Sequence, residues 1–432
     1  MTMLKSLSAA LALLLALVIA PAQAQLQITV TNGDVGALPI AIVPFTQVGS
    51  VRVDVAQVVE NDLVRSGRFR AMSRDEMRQK PNQPAQFDPA PWRSQGTDNV
   101  VVGQVLDDGK GGYVARFFLL DSLSGKSVVA YDIPVRGPEQ MRYAAHQIAD
   151  IVYEKLLGLP GYFNTKIAYV SAQGLGYQRT YQLIVADSDG EQPRVIATSR
   201  ETLMSPNWSP DRKQLVYVGY ERGRSAIYLH TLASGQVRKL VSEKGINGSP
   251  VFSPDGTKLA FVLSFEINPD IYVMDVSGGN RRRLTDHYGI DTEPAWSPDG
   301  SKLVFTSDRS GRPQIYEISV AGGEPTRLTF QGSQNLRPSY APDGKSLLFV
   351  NVDGGRQRIA LQDLPGGALH LLSNGPLDEG PSFAPGGAVI IYSSQGPHGR
   401  QLETVSVDGR VRLTMRQATG DVQEPAWSPL LK

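Results

Sequence analysis

The side chains that could do chemistry are few and dispersed. The five histidines, His146, His230, His287, His370 and His398, show none of the spacings that put two imidazoles on one face around zinc. The chain has no cysteine, which removes disulfides, thiolate metal sites and a Cys nucleophile together. No Gly-x-Ser-x-Gly elbow presents a serine, and no glycine-rich phosphate loop occurs. Asp187-Ser-Asp-Gly190 matches the start of a calcium loop, but the distal glutamate is missing and a hairpin turn accounts for it. Arg281-Arg-Arg283 could hold an anion, yet it reads better as an outer strand guarded by charge. What remains is a set of carboxylates, Asp291, Glu293, Asp378, Glu379, Asp421 and Glu424, with Arg337 among them. Such a set could serve a metal-assisted hydrolase or lyase, a sugar-binding module of the cell wall, or a surface for another protein. Which it serves depends on the elements that hold it.

Those elements repeat. Pro206-Asn-Trp-Ser-Pro-Asp-Arg212, Pro250-Val-Phe-Ser-Pro-Asp-Gly256, Pro294-Ala-Trp-Ser-Pro-Asp-Gly300, Pro338-Ser-Tyr-Ala-Pro-Asp-Gly344, Pro381-Ser-Phe-Ala-Pro-Gly-Gly387 and Pro425-Ala-Trp-Ser-Pro-Leu-Leu431 are six copies of one pattern. Their leading prolines lie 44, 44, 44, 43 and 44 residues apart. A period in the forties, with short β-rich runs between turns, predicts a propeller with one four-stranded blade per repeat. Ser-Pro-Asp-Gly is the chemistry of a type I turn, with Pro fixing φ at the second position and Gly at the fourth. Aromatic residues recur in register at Tyr169, Tyr217, Phe261, Phe305, Phe349 and Tyr392, and packing between blades accounts for them. The strand beginning at Lys166 lacks its own leader, and the chain ends on a leader without a blade. The C-terminal strand is therefore expected to complete the first blade and close a six-bladed ring over residues 161–432.

The remainder divides in two. Lys5, an apolar run from Leu7 to Ala20, Pro21 and Ala22-Gln-Ala24 have the order of a cleaved export signal over residues 1–24. The run is too short to span a bilayer. Residues 25–160 read as a small α/β domain: a strand at Leu38–Phe45, a helix over Val53–Ser66 stopped by Gly67, a loop over Pro81–Pro91, three strands at Asn99–Val105, Tyr113–Leu120 and Ser127–Val135, and a helix ending at Leu157. Lys plus Arg (43) nearly equals Asp plus Glu (42), which gives no electrostatic case for nucleic acid or for an anionic membrane surface. Gly (43) and Pro (29) fill about one position in six, against about one in eight in ordinary proteins, as a turn-rich β fold requires.

The segments before the leading strands, Thr202–Ser205, Ile246–Ser249, Ile290–Glu293, Gln334–Arg337, Leu377–Gly380 and Asp421–Glu424, differ between copies while the rest of the repeat agrees. Variation confined to one rim of a repeated scaffold is what a binding face looks like. The carboxylates fall in this rim, so an acidic mouth is expected.

Export signal, α/β domain and six Pro-x-aromatic-Ser-Pro-Asp-Gly blades together resemble the TolB family of the periplasmic Tol–Pal system. The residues that carry the resemblance include Pro39-Ile-Ala-Ile-Val-Pro-Phe45, Asp291-Thr-Glu-Pro-Ala-Trp296, Gly311-Arg-Pro-Gln-Ile-Tyr316 and Pro425-Ala-Trp-Ser-Pro429. The resemblance implies a non-catalytic periplasmic scaffold without cofactor or metal, a monomer that inserts in no membrane and binds no nucleic acid. It implies support of outer-membrane integrity and of invagination during division. It places the lipoprotein Pal at the propeller mouth, over Ser205, Ile246, Asn247, Gly248, Ser249, Asp291, Thr292, Glu293, Leu336, Arg337, Asp378, Glu379, Gln423 and Glu424, where colicin translocation segments can compete. Thr292 stands where the family has a Pal-contacting threonine, Ser249 keeps a small-residue position, and Ile246 replaces a family histidine. The partner TolA is assigned to the mature N-terminus, Gln25, Leu26, Gln27, Ile28, Thr29, Val30, Thr31, Asn32, Gly33 and Asp34, whose alternating pattern suits addition as an edge strand.

Overall fold

A computed structural model describes residues 36–48, 51–264, 268–397, 399–415 and 420–430. The expected export signal at 1–24 and the segment Gln25–Asp34 lie outside the described residues.

Six strands, β1 (Leu38–Ile42), β2 (Thr46–Gln47), β3 (Phe69–Ala71), β4 (Asn99–Asp107), β5 (Tyr113–Asp121) and β6 (Lys126–Val135), form one sheet in the order β3-β1-β4-β5-β6, with β2 beside β4. β1 is apolar throughout because both its faces are covered. Ile40 and Ile42 join the cluster under the helices α1 (Val55–Arg65) and α3 (Met141–Leu157). Ala41 and Val43 face Trp92 of the short helix α2 (Pro89–Ser94). Asp54 caps α1 by accepting from the Gln57 N–H at 2.9 Å. The stretch expected as a loop at Pro81–Pro91 instead contains a single turn at Pro84–Gln86 and the start of α2. The local reason is plain: Asp88 caps the Ala90 N–H at 3.0 Å and Pro89 occupies the first helical position. β2 and β3, at two and three residues, are too short to show a period.

Gly67 ends α1 with φ +67° and packs against the propeller so closely that a Cβ would lie 2.1 Å from Val411 Cγ2. A left-handed backbone and a filled space oppose any side chain here. Gly67→Ala is expected to cost about 2–3 kcal/mol, read as a shift in urea unfolding; an unshifted midpoint would contradict the packing described.

The propeller has six antiparallel sheets of four strands. The final strand, Asp421–Trp427, pairs with Lys166–Gln173, so the C-terminus supplies the inner strand of the blade that the N-terminal strands begin. The turns have the expected geometry: Gly256 N–H donates to Ser253 O at 2.9 Å, and Asp255 accepts from the Thr257 N–H at 3.0 Å. Arg212 stands in the glycine's place at φ +58° and reaches the Asn164 carbonyl at 2.9 Å. The six recurrent aromatics are all buried.

The α/β domain packs on the face that carries the Ser-Pro-Asp-Gly turns. Arg65 Nη1 donates to the Ser188 carbonyl at 2.9 Å, and one apolar cluster runs through Tyr153, Tyr162, Phe163 and Trp427. The opposite face, with the loops before the leading strands, stays uncovered. Among the described residues no helix is long and apolar enough to cross a membrane.

Candidate functional site

Each leading strand carries the same irregularity. The residue before the proline adopts the left-handed conformation in every copy: Ser205, Ser249, Glu293, Arg337, Gly380 and Glu424, with φ between +45° and +60°. At the same place the pairing with the second strand slips, between Met204 and Asn207 in one blade and at the matching residues of the other five. A bulge of this kind breaks the strict in–out alternation of a strand. Two successive side chains then share one face. The six pairs, Met204/Ser205, Gly248/Ser249, Thr292/Glu293, Leu336/Arg337, Glu379/Gly380 and Gln423/Glu424, are half-buried, while the residue before each pair is buried.

This sorts the sequence-derived candidates. Ser205, Ser249, Glu293, Arg337 and Glu424 line one channel together. Gly248, Thr292, Leu336, Glu379 and Gln423, each one residue earlier, are half-buried, with Leu336 packed against the apolar core of its blades, and Ile246 is 49% exposed. Asn247, Asp291 and Asp378 do not face it. Each is buried beneath its bulge and spent on the loop: Asn247 Nδ2 donates to the carbonyls of Ser225 and Glu243, Asp291 meets Arg309 Nη2 at 2.7 Å, and Asp378 accepts from Ser394 Oγ at 2.7 Å. Their role is to hold the bulge that aims the next two side chains.

The mouth is not the acidic ring that the rim carboxylates suggested. Arg337 bridges it, meeting Glu424 at 2.7 Å and Glu293 at 3.3 Å. Arg400 pairs with Glu379 at 2.6 Å and Arg179 with Asp421 at 3.2 Å. Burial works to raise the Glu424 carboxyl, but the Arg337 guanidinium reverses this and holds it below the usual range; Glu424 in turn raises Arg337. These carboxylates have arginine partners, which leaves no pair of them poised for metal-assisted hydrolysis. Arg337 was among the candidates; the other arginines that do this, Arg179, Arg309 and Arg400, lie in or beside the connections between second and third strands, at separations of 18–21 residues for Arg309 and Arg400, and sequence spacing gave no sign of them.

Below the bridge, the prolines and the residues flanking them line a cavity of about 290 Å³. At the opposite end a wider vestibule of about 850 Å³ is lined by Trp208, Phe252, Trp296 and Trp427 with the turn prolines. In the loops at the open mouth stand exposed apolar side chains that the candidate set had missed, Leu175 at 88% and Tyr288 at 84%, with Ile290 and Leu377; Phe330 lines a groove shared with the Ser-Pro-Asp-Gly turns instead. Large apolar groups in loops, visible in the sequence, were the available signal. Grouped on one face, they mark a surface built to be covered.

Comparison with known proteins agrees with this architecture. The chain matches the family model for the TolB amino-terminal domain over residues 26–128 and that for the TolB β-propeller domain over residues 153–431. The Tol–Pal system protein TolB of Methylococcus capsulatus is 60% identical over 400 residues, 93% of each chain. That of Thioalkalivibrio sulfidiphilus is 54% identical over 406 residues, again 93% of each. The crystal structure of TolB from Acinetobacter baumannii superposes with a TM-score of 0.85 at 37% identity, covering 94% of this chain and 100% of that one.

Proposed function

The chain belongs to the TolB family of the Tol–Pal system, a non-catalytic scaffold family, and on that premise we propose that it is a periplasmic scaffold that docks the lipoprotein Pal in its open propeller mouth and TolA through its mature N-terminus. In this reading the protein is exported through a cleaved signal over residues 1–24 and works as a monomer. It supports outer-membrane integrity and invagination during division, and colicin translocation segments compete for the same mouth.

The observation that carries the reading is the ring of bulges. Six copies of one backbone distortion bring Ser205, Ser249, Glu293, Arg337, Gly380 and Glu424 to a single channel, on the face away from the α/β domain. Bulges hold these positions rigidly, and their side chains differ from blade to blade, so the scaffold is constant and the recognition surface is not. Exposed apolar side chains around an opening whose charges are already ion-paired suit a surface that another protein covers better than a catalytic cleft. A sugar-binding module would be read by peptidoglycan sedimentation of the purified protein with no partner present.

The two docking roles separate experimentally. Deleting Gln25–Asp34 is expected to abolish retention of a soluble TolA domain while leaving retention of a soluble Pal domain and the melting temperature unchanged. Loss of Pal binding, or a large fall in melting temperature, would show that the segment is part of the fold instead.

A further inference from the structure

The turn Asp187-Ser-Asp-Gly190 is a hairpin, as its sequence suggested, and Asp189 accepts from the Glu191 N–H at 3.1 Å within it, but its side chains reach beyond the hairpin. They point into the α/β domain. Asp187 lies against Arg142 Nε at 3.4 Å and pairs with Lys166 Nζ; Asp189 pairs with Arg142 Nη2. Ser188 gives its carbonyl to Arg65 Nη1 at 2.9 Å and its hydroxyl oxygen to Arg65 Nη2 at 2.7 Å. Behind these, Asp62 of α1 receives Arg65 Nε at 3.1 Å and His146 Nδ1 of α3 at 2.6 Å. His146 is 2% exposed, and its other ring nitrogen, Nε2, has no hydrogen-bond partner although Asp187 Oδ2 is 3.8 Å away.

We propose that this hairpin is a proton-dependent latch between the two domains, in which protonated His146 bridges Asp62 of the α/β domain and Asp187 of the propeller. The latch is independent of any partner in the mouth and goes beyond the scaffold role. Asp62, Asp187, Asp189 and Asp150 act on His146 directly; the wider network adds Arg65 from α1, Arg142 from its own helix, Tyr162 from the connecting segment, Lys166 from the first propeller strand and Glu191 from the hairpin. Asp62, His146 and Asp189 approach one another closely enough for a cation, but Arg65 and Arg142 already occupy the two carboxylates. The proton is the cation that completes the network. With it, Nε2 carries a hydrogen aimed at Asp187; without it, that contact has no donor and two buried carboxylates lose a shared counter-charge.

Burial disfavours the imidazolium, yet Asp62 and Asp187 outweigh burial and raise His146 to about 9. A histidine raised above its unfolded value stabilises the closed interface fully below about pH 6.5 and loses that contribution as pH climbs through about 9. Asp150, pushed up to about 7 by burial, acts in the same direction. Asp187 and Asp189 are held low, burial notwithstanding, by His146 and the basic groups around them, so their contribution is lost on the acid side. The upper window is therefore the informative one.

The absence of cysteine makes the test clean. Spin labels on Ser94→Cys and Ala233→Cys, one per domain, report the interdomain distance in the full chain. At about pH 6 the distribution should be narrow, and at about pH 10 about twofold broader and reversible. His146→Gln should be broad at both, keeping at most the smaller response of Asp150, and Arg142→Ala should broaden it while keeping the full pH response. Circular dichroism at each pH confirms that both domains remain folded. If His146→Gln does not fold, the wild-type comparison and Arg142→Ala decide. Equal widths at both pH values in the wild type would overturn the proposal, as would an unaltered pH response in a folded His146→Gln.

Discussion

A chain ended after Gly420 is expected to lose the folded propeller altogether. The deleted strand is the inner strand of the closing blade, and its removal leaves Lys166–Gln173 as an open edge. Trp427 is 6% exposed and joins the apolar cluster at the domain junction, and its indole N–H donates to Thr165 Oγ1 at 2.7 Å. Ser428 closes the ring with its N–H on the Lys166 carbonyl at 2.8 Å and its hydroxyl under the Lys166 N–H at 2.9 Å. Trp208 of the neighbouring blade would lose its acceptor, the Ala426 carbonyl, at 3.0 Å. Emptying one tryptophan site costs about 3–5 kcal/mol, and a domain of ordinary stability has only about 5–15 kcal/mol in all. With a whole ladder of hydrogen bonds gone besides, the truncated chain should show no cooperative thermal transition and should aggregate. A monomer that melts sharply within a few degrees of the full chain would mean that the ring does not depend on this closure.

The parts of this molecule written in local chemistry could be read in advance. Ser-Pro-Asp-Gly names its own turn, and its spacing gives the blade count and the closing strand. The helices over Val55–Arg65 and Met141–Leu157 announced themselves by apolar spacing. The bulges did not, because a left-handed backbone at Ser205, Ser249, Glu293, Arg337 or Glu424 is imposed by the sheet around it; Gly380 alone carries a residue-type hint. For that reason Asn247, Asp291 and Asp378 passed as mouth residues although they lie buried one position below it. Charge was the other blind spot. Carboxylates in a rim can be counted from sequence, but Arg309, Arg400 and Arg179, which answer them, come from other loops. The Asp187–Asp189 hairpin shows the same limit: its turn was legible, while its partners Arg65, Arg142 and His146 come from helices far away in the chain.

The second large effect concerns Thr292. Its backbone pairs with Thr306 across the sheet, and it is half-buried immediately before Glu293, which lines the channel. An arginine there would put a long cationic side chain into an opening whose charges are already matched by Arg337 and Arg400. The substitution touches no buried contact that the fold requires, so the cost falls on the occupant rather than on stability. At a central, desolvated position, one such change is worth about 2–4 kcal/mol of binding, or roughly 30- to 1,000-fold. The most direct measurement is a calorimetric titration of a soluble Pal domain into the wild type and into Thr292→Arg, with melting curves of both. The account predicts binding weakened by roughly 30- to 1,000-fold at an unchanged melting temperature; equal affinities would contradict the mouth as the docking site.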